Sequence, residues 1–105
     1  MTNNKLVLST AGSREEAHKI ARALVERRLA ACVNIVPQVE SVYRWQGKVE
    51  ESQEFLLLIK TFGTAFDRVC ETIQELHSYE TPECISFSIE DGSPGYLKWI
   101  EESVG

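Results

Sequence analysis

Apolar and polar positions follow one another along this chain in a pattern that predicts a defined series of strands and helices. Residues 6–8 are all apolar and predict a first strand that ends before Gly12. Ser13 and Glu16 then have the spacing of a capping box, which predicts the start of a helix. Its apolar stripe recurs at helical spacing over Ala17, Ile20, Ala21 and Leu24.

The stretch from Cys32 to Thr61 predicts two unusually long strands folded back on each other at Gln46-Gly47. Gly47 suits the positive φ of a tight hairpin turn, and β-branched and aromatic residues flank it. Each arm runs for ~12–14 residues, whereas a typical strand has ~5–6. A domain of this length has a radius of gyration of about 13 Å, so the hairpin tip should project from the body. Pro37 cannot donate to a strand ladder and predicts a bulge, a bend or an edge position.

The remaining pattern completes a recognisable order of elements. Residues 55–59 are apolar on both faces of their strand, which therefore needs cover on both faces. A second helix is expected to begin near Thr64, a strand to follow at residues 85–89, and a short last helix to begin at Ser93-Pro94. The order β-α-β-β-α-β plus a terminal helix predicts an α+β, ferredoxin-like subunit with one sheet face left open.

Composition narrows the classes of partner. The length of the chain predicts a single domain over residues 1–105. Eleven basic and sixteen acidic residues give a net charge of −5, which argues against nucleic acid as a partner. The longest unbroken apolar run, Phe55 to Ile59, is too short to span a membrane. The N-terminus lacks the pattern of a signal peptide, so a cytoplasmic location is expected.

The cysteines have no recognisable metal or redox spacing. Cys32, Cys70 and Cys84 are odd in number, far apart, and outside any CxxC or Cys/His zinc pattern. In a reducing cytosol each is expected to be a small buried residue with a free thiol.

Several segments resemble the CutA family of divalent-cation tolerance proteins. They are RLAACVN at 28–34, Pro37, SVYRWQGK at 41–48, LIKT at 58–61, HSYETPE at 77–83 and YLKWI at 96–100. The resemblance covers nearly the whole chain, and Ser78 stands where the family motif has Pro. It implies a ferredoxin-like subunit assembled through the long hairpins into a homotrimer similar to the PII signalling proteins. The expected interface residues are Val42, Tyr43, Trp45, Phe55, Leu57 and Ile59.

The same resemblance implies copper or another divalent cation as a ligand that is not required for folding. Family members with an assigned copper site use a Cys late in the first strand and two adjacent His residues. Here Ser9 holds the Cys position and Leu76 the first His position, so only His77 remains. Copper prefers thiolate and imidazole ligands, and one imidazole is not a site. The structural alternative for His77 is a residue that closes the end of the second helix.

A second group of candidates is polar and aromatic. Tyr43, Trp45, Lys60, Tyr79 and Glu83 match family positions near clefts between subunits, where pockets often form. A lysine flanked by tyrosine hydroxyls suits a small anionic ligand. The alternative is a structural Lys60–Glu83 ion pair with aromatic residues anchoring an interface.

No catalytic motif is present in the sequence, so we expect a binding protein rather than an enzyme. The first hypothesis is a trimer that acts in divalent-cation tolerance, responding to metal ions by binding a metal or a small ligand at its inter-subunit clefts. The alternative is a PII-like signalling or scaffold trimer that binds a protein partner and has no specific metal site.

Overall fold

One antiparallel sheet of four strands organises the chain. The computed structural model describes residues 2–105, and the sheet order is β2-β3-β1-β4. The elements are β1 (Asn4–Ala11), α1 (Arg14–Glu26), β2 (Cys32–Trp45), β3 (Lys48–Phe62), a 3₁₀ turn (Gly63–Ala65), α2 (Phe66–Leu76), β4 (Ile85–Ser88) and α3 (Pro94–Ser103). This is the order expected from the sequence, and it confirms the ferredoxin-like α+β subunit with an extended hairpin.

The β2–β3 hairpin extends beyond the rest of the sheet. Strand β1 pairs with β3 only over residues 55–62, so the ribbon of residues 39–54 has no third strand. Gln46 and Gly47 form its turn with φ values of 51° and 78°, both in the left-handed region that a two-residue hairpin turn requires. The pairing slips between Val36 and Val39, so among the possibilities left open at Pro37 the structure has a bulge, on a strand that is also at the sheet edge. A two-stranded ribbon is marginally stable alone, so its side chains need cover from elsewhere.

The two faces of the sheet have different environments because side chains alternate along each strand. Leu57 and Ile59 point to the helices, and both are fully buried in the core. Leu56 and Leu58 point to the opposite face and are only half-buried. The core around the first pair consists of Val7, Ala17, Ile20, Leu24, Val69 and Ile73.

This alternation corrects part of the interface expected from the sequence. Leu57 and Ile59 are core residues and have no surface to offer a second subunit. Phe55, on the same face, is half-buried and packs against the core. The apolar run of residues 55–59 by itself did not reveal which face the helices cover. Val42, Tyr43 and Trp45 do expose their side chains on the ribbon, by 66%, 43% and 48%.

A disulfide joins Cys70 in α2 to Cys84, the residue before β4. Their Cα atoms lie 5.9 Å apart, within the usual range for a disulfide. The expectation of three free thiols is therefore wrong for this pair, and Cys32 alone keeps a free thiol. The pairing was hidden because a helix and a loop 14 residues later come together only in the folded chain.

Length and hydropathy distinguish these helices from membrane spans. The longest, α1, has 13 residues. Across residues 2–105, no helix has the length and apolar character needed to cross a bilayer.

Candidate functional site

A cleft of about 710 Å³ lies between the β2–β3 ribbon and the loop that follows α2. We call residues 77–83 the cleft loop. Thr10 lies at the floor of the cleft, at the end of β1. The aromatic and apolar lining comes from Val42, Tyr43, Trp45 and Tyr79, and the acidic lining comes from Glu40, Glu54, Glu80 and Glu83. Among the described residues that line this cleft there is no Lys, Arg or His.

The centre of the cleft is a hydrogen bond between a tyrosine and a buried carboxylate. Tyr79 Oη donates to Glu54 Oε2 over 2.9 Å, although the two residues are 25 positions apart in the chain. Glu54 is only 7% exposed, which is unusual for a carboxylate. The hydrogen bond from Tyr79 offsets part of the free-energy cost of removing that carboxylate from water. Gly12 leaves room for the tyrosine, because a Cβ at that position would lie 3.1 Å from Tyr79 Oη. The other oxygen, Oε1, accepts no hydrogen bond from the described residues.

The environment of Tyr79 favours its neutral phenol. Burial raises the pKa of Tyr79 to about 12, and the hydrogen bond to Glu54 and the negative charge of that carboxylate act in the same direction. A phenolate would lose the hydrogen bond and face the carboxylate. Tyr79 is therefore a hydrogen-bond donor at neutral pH, and the negative charge of the pair belongs to Glu54.

His77 anchors the start of the cleft loop through both ring nitrogens. Nε2 lies 2.6 Å from the carbonyl oxygen of Thr10, and Nδ1 accepts the backbone N–H of Tyr79 over 3.0 Å. These partners make Nε2 the donor and Nδ1 the acceptor, since a carbonyl only accepts and an N–H only donates. The side chain is fully buried. His77 therefore positions Tyr79, because its ring is hydrogen-bonded to the backbone of Thr10 at one nitrogen and to the backbone of Tyr79 at the other.

Ser78 and Glu16 make a second attachment for the cleft loop. The backbone N–H and the hydroxyl of Ser78 both donate to the Glu16 carboxylate, over 2.8 and 3.1 Å. Proline, the family residue at position 78, provides neither donor. The sequence had suggested a reciprocal capping box for Glu16, and only half of it forms. The backbone N–H of Glu16 donates to Ser13 Oγ, while its carboxylate turns to Ser78.

The residues matched to the family copper site do not fit copper within one subunit. Each nitrogen of His77 is already engaged, so neither offers a lone pair to a metal. Ser9 is fully buried on the helix-facing side of β1, and Leu76 packs against the core. Within residues 2–105, no three His, Cys, Asp or Glu side chains are grouped to hold a metal ion. A mononuclear metal site usually needs at least three such protein ligands.

Lys60 lies apart from the other cleft candidates. It pairs with Cys32 in the sheet register, and its ammonium group donates to Asn34 Oδ1. Tyr43, Trp45, Tyr79 and Glu83 line one cleft within the subunit, whereas the sequence placed them at clefts between subunits. Without Lys60, the cleft lacks the positive charge on which the expectation of an anionic ligand rested. The alternative Lys60–Glu83 ion pair is also not formed, because Glu83 lines the cleft and Lys60 binds Asn34.

Sequence reasoning missed Glu54, Glu40 and Gly12. The available signal was Glu54 itself, an acidic residue in the same alternating series as Leu56 and Leu58. A charged residue directly before an apolar run indicates that the buried part of the strand ends there. Glu54 is buried because Tyr79 packs over it, and the local sequence pattern does not show this contact.

The Tyr79–Glu54 pair predicts a loss of stability at alkaline pH. A tyrosine in the unfolded chain ionises near pH 10, whereas the folded pKa of Tyr79 is about 12. The stabilisation is therefore complete below about pH 10 and is lost as the pH rises toward 12. Urea unfolding between pH 8 and 11.5 should show this decline, and it should be shallower in Tyr79→Phe. At neutral pH that variant should lose about 1–3 kcal/mol, because Glu54 keeps its burial without a donor. Tyr96→Phe, on α3, is the matched control, and an equal change in slope there would contradict the assignment.

The structure therefore defines a class of protein, a ferredoxin-like α+β subunit with a long ribbon beside an acidic, aromatic cleft. Comparison with known protein families identifies the family. The model of the family described as "CutA1 divalent ion tolerance protein" matches residues 5–103. The chain belongs to that family.

The relatives agree in sequence and in structure. The "Divalent-cation tolerance protein CutA" of Thermus thermophilus is 52% identical over 101 residues, which cover 96% of this chain and 98% of that protein. A solved structure of the T. thermophilus protein superimposes with a TM-score of 0.95 at 51% identity, covering 97% of this chain and 99% of that one. "Protein CutA homolog" of Xenopus laevis is 51% identical over 84% of this chain. The matched region spans only 58% of that longer protein.

Proposed function

We propose that this chain acts in divalent-cation tolerance as a homotrimer whose cleft holds a cation. One observation carries the proposal: the cleft combines four glutamates and three aromatic side chains, and none of its described lining residues is basic. Carboxylates and aromatic faces both attract positive charge. The net charge of −5 adds to this attraction over longer range.

Glu54 is the residue best prepared to receive a cation. Its carboxylate is desolvated, and Tyr79 engages one oxygen and leaves Oε1 for a ligand. Burying a carboxylate carries a free-energy cost, and a bound positive charge would offset part of it. Tyr43 and Trp45 are two residues apart on one strand, so both point to the side of the ribbon that carries Glu54.

Oxygen donors suit some divalent cations better than copper. Carboxylates favour harder ions such as Mg²⁺, Ca²⁺ and Mn²⁺, whereas copper prefers imidazole and thiolate. Because residues 2–105 of one subunit do not group three acidic, His or Cys donors around a point, we propose that a second subunit completes the coordination. A copper-like ion at His77 would require the cleft loop to release the N–H of Tyr79 or the carbonyl of Thr10.

Trimer formation would close the cleft and cover the ribbon. Residues 39–54 have no third strand, and Val42 and Val49 are 66% and 65% exposed. Ile85 and Phe87 on the edge strand β4 also expose about half of their surface. Apolar groups so exposed at both ends of one sheet are typical of a subunit interface. We propose the cytoplasm as the compartment, since the trimer would meet metal ions there after they enter the cell.

A protein partner is the second candidate function, and α3 favours it. Tyr96 and Trp99 on this helix are 44% and 43% exposed, with ring centroids 5.4 Å apart. Exposed aromatic pairs are typical binding anchors. A PII-like signalling or scaffold trimer would use this surface and need no metal.

Calorimetric titration of the purified protein with Mn(II) and Cu(II) tests the cleft. Glu54→Gln keeps the shape of the side chain and an acceptor for Tyr79, yet removes the charge. We expect it to weaken cation binding by about tenfold or more, since a contact to a charged group is worth about 1.5–3 kcal/mol. Glu15→Gln, on the exposed face of α1, removes the same charge outside the cleft and should leave affinity unchanged.

Two outcomes would overturn this assignment. If neither Mn(II) nor Cu(II) binds stoichiometrically, the cleft is not a cation site and the protein-partner function is favoured. Cu(II) binding that survives Glu54→Gln but disappears in His77→Ala would move the site to His77.

A further inference from the structure

The Cys70–Cys84 disulfide closes the segment that forms one wall of the cleft. Cys70 lies in α2, and Cys84 directly follows the cleft loop of residues 77–83. All the cleft contacts of that loop, from Tyr79 to Glu83, lie inside the 14-residue separation that the bond spans. A cross-link of this kind limits the conformations open to the enclosed segment.

The bond lies at the boundary of the core, because Cys84 packs against the core but is not fully buried. Both cysteines are partly exposed, whereas the core residues beside them, Val69 and Ile73, are fully buried. The third cysteine, Cys32, lies in β2 and is free. The redox state of Cys70 and Cys84 therefore decides whether α2 is cross-linked to the end of the cleft loop. Cys32 forms no disulfide in the structure and serves as a reference when thiols are counted.

The remaining attachments of the cleft loop lie near its beginning. His77 binds Thr10, and Ser78 binds Glu16. Gln74 in α2 donates to the carbonyl oxygen of Glu80 over 3.1 Å. From Thr81 to Cys84, the structure shows no hydrogen bond from the described residues, and β4 pairs with β1 only from Ile85 onward. The disulfide is thus the covalent anchor for the second half of the loop.

We propose that Cys70–Cys84 is a reversible redox clasp that sets the order of the cleft loop. A dithiol reductant attacks one sulfur as a thiolate and forms a mixed disulfide, and its second thiolate then displaces the protein sulfur. Two electrons and two protons thereby reach Cys70 and Cys84, and the reductant leaves as a disulfide. Oxidised glutathione reverses the exchange and leaves as two thiols. In a reducing compartment such bonds are transient and regulatory rather than structural.

The clasp acts on the ligand cleft, and in that respect it rests on the function proposed above. Reduction frees the Thr81–Cys84 end of the loop, which carries Glu83 of the cleft lining. The oxidised protein has the ordered cleft, and the reduced protein has the looser one. The loop's redox response itself requires no ligand, so it can be measured separately.

The test combines thiol counting with amide hydrogen exchange on the native protein. Protein purified without reductant and equilibrated with oxidised glutathione should show at most one reactive thiol, because glutathione can cap Cys32 as a mixed disulfide, and three after a dithiol has been added under native conditions and removed. Exchange of the hydrogen-bonded amides on either side of residues 80–84, that of Tyr79 and those of β4, should then rise by roughly tenfold or more, as expected when a local cross-link is lost. Exchange in α1 should stay unchanged. The Cys70→Ser, Cys84→Ser double variant should exchange like the reduced protein in both conditions, while Cys32→Ser should respond like the parent chain.

Each contrary result identifies what fails. Three reactive thiols after oxidation, or a bond that resists the dithiol in the folded protein, would overturn the reversible clasp. Thiol counts that change while amide exchange at Tyr79 and in β4 does not would overturn its control of the loop. If exchange responds to redox state but no cation binds in either state, the clasp stands and the proposed cation cleft fails. Measurements on the parent chain decide these points even if a cysteine variant does not fold.

Discussion

Leu57→Ala is expected to lower the free energy of unfolding by about 2–5 kcal/mol, while Leu58→Ala has a much smaller effect on the subunit. Leu57 is fully buried between the sheet and the helices, so its removal leaves a cavity that the packed core cannot fill. Leu58 is the next residue, has the same side chain, and is only half-buried on the opposite face. Its loss removes apolar contact without opening a hole in the core.

Urea unfolding followed by far-UV circular dichroism measures this difference. Both variants should be compared with the parent chain at one protein concentration, because assembly adds to apparent stability. Raising the concentration should restore more of the loss in Leu58→Ala than in Leu57→Ala, if the open face lies in the trimer. Equal losses that do not depend on concentration would contradict the assignment of the two faces.

Trp45→Ala is expected to weaken assembly strongly while leaving the subunit folded. Trp45 lies next to the hairpin turn, 48% exposed, on a ribbon that has no other strand to cover it. Truncating a central aromatic anchor typically costs 2 kcal/mol or more, roughly a 30-fold change in the dissociation constant of each interface. Three equivalent interfaces would each lose this contact, so a trimer should dissociate at much higher concentrations than the parent chain.

Sedimentation velocity over a range of concentrations, with circular dichroism on the same samples, separates assembly from folding. Trp99→Ala is the matched control, because Trp99 is similarly exposed, at 43%, but belongs to α3. The Trp99→Ala trimer should dissociate over nearly the same range of protein concentrations as the parent trimer. Loss of secondary structure together with assembly in Trp45→Ala would show that the ribbon is needed for the subunit itself. A parent chain that sediments as a stable monomer would remove the homotrimer from the proposal.

The structure brings together the expected aromatic residues and Glu83, but it does not bring Lys60 to them. Tyr43, Trp45, Tyr79 and Glu83 meet in one cleft because a hairpin and a loop after a helix converge at the end of β1. Lys60 matches a family position near the same clefts, yet it lies along β3 beyond the cleft of this subunit, opposite Cys32. Glu54 takes the central position instead. The two residues are six positions apart on one strand, which at about 3.3 Å per residue is roughly 20 Å.

His77 illustrates why a matched motif does not establish a role. Its position in HSYETPE agrees with the family pattern, and the sequence leaves open whether it binds metal or closes a helix. In the folded chain both nitrogens face backbone groups, one from β1 and one from Tyr79. The first of these partners is 67 residues away, so no local reading of the motif includes it.

Local sequence patterns were enough to predict the order of the elements, the long ribbon, its turn at Gln46-Gly47 and an interruption of the strand at Pro37. These features depend on side-chain periodicity and on the backbone angles that single residues allow, which are local properties. Tertiary structure alone decided which face of β3 the helices cover, the Glu54–Tyr79 pair and the Cys70–Cys84 bond. Each of these depends on how separate elements pack against one another. Periodicity places side chains on alternate faces of a strand, but only packing determines what those faces meet.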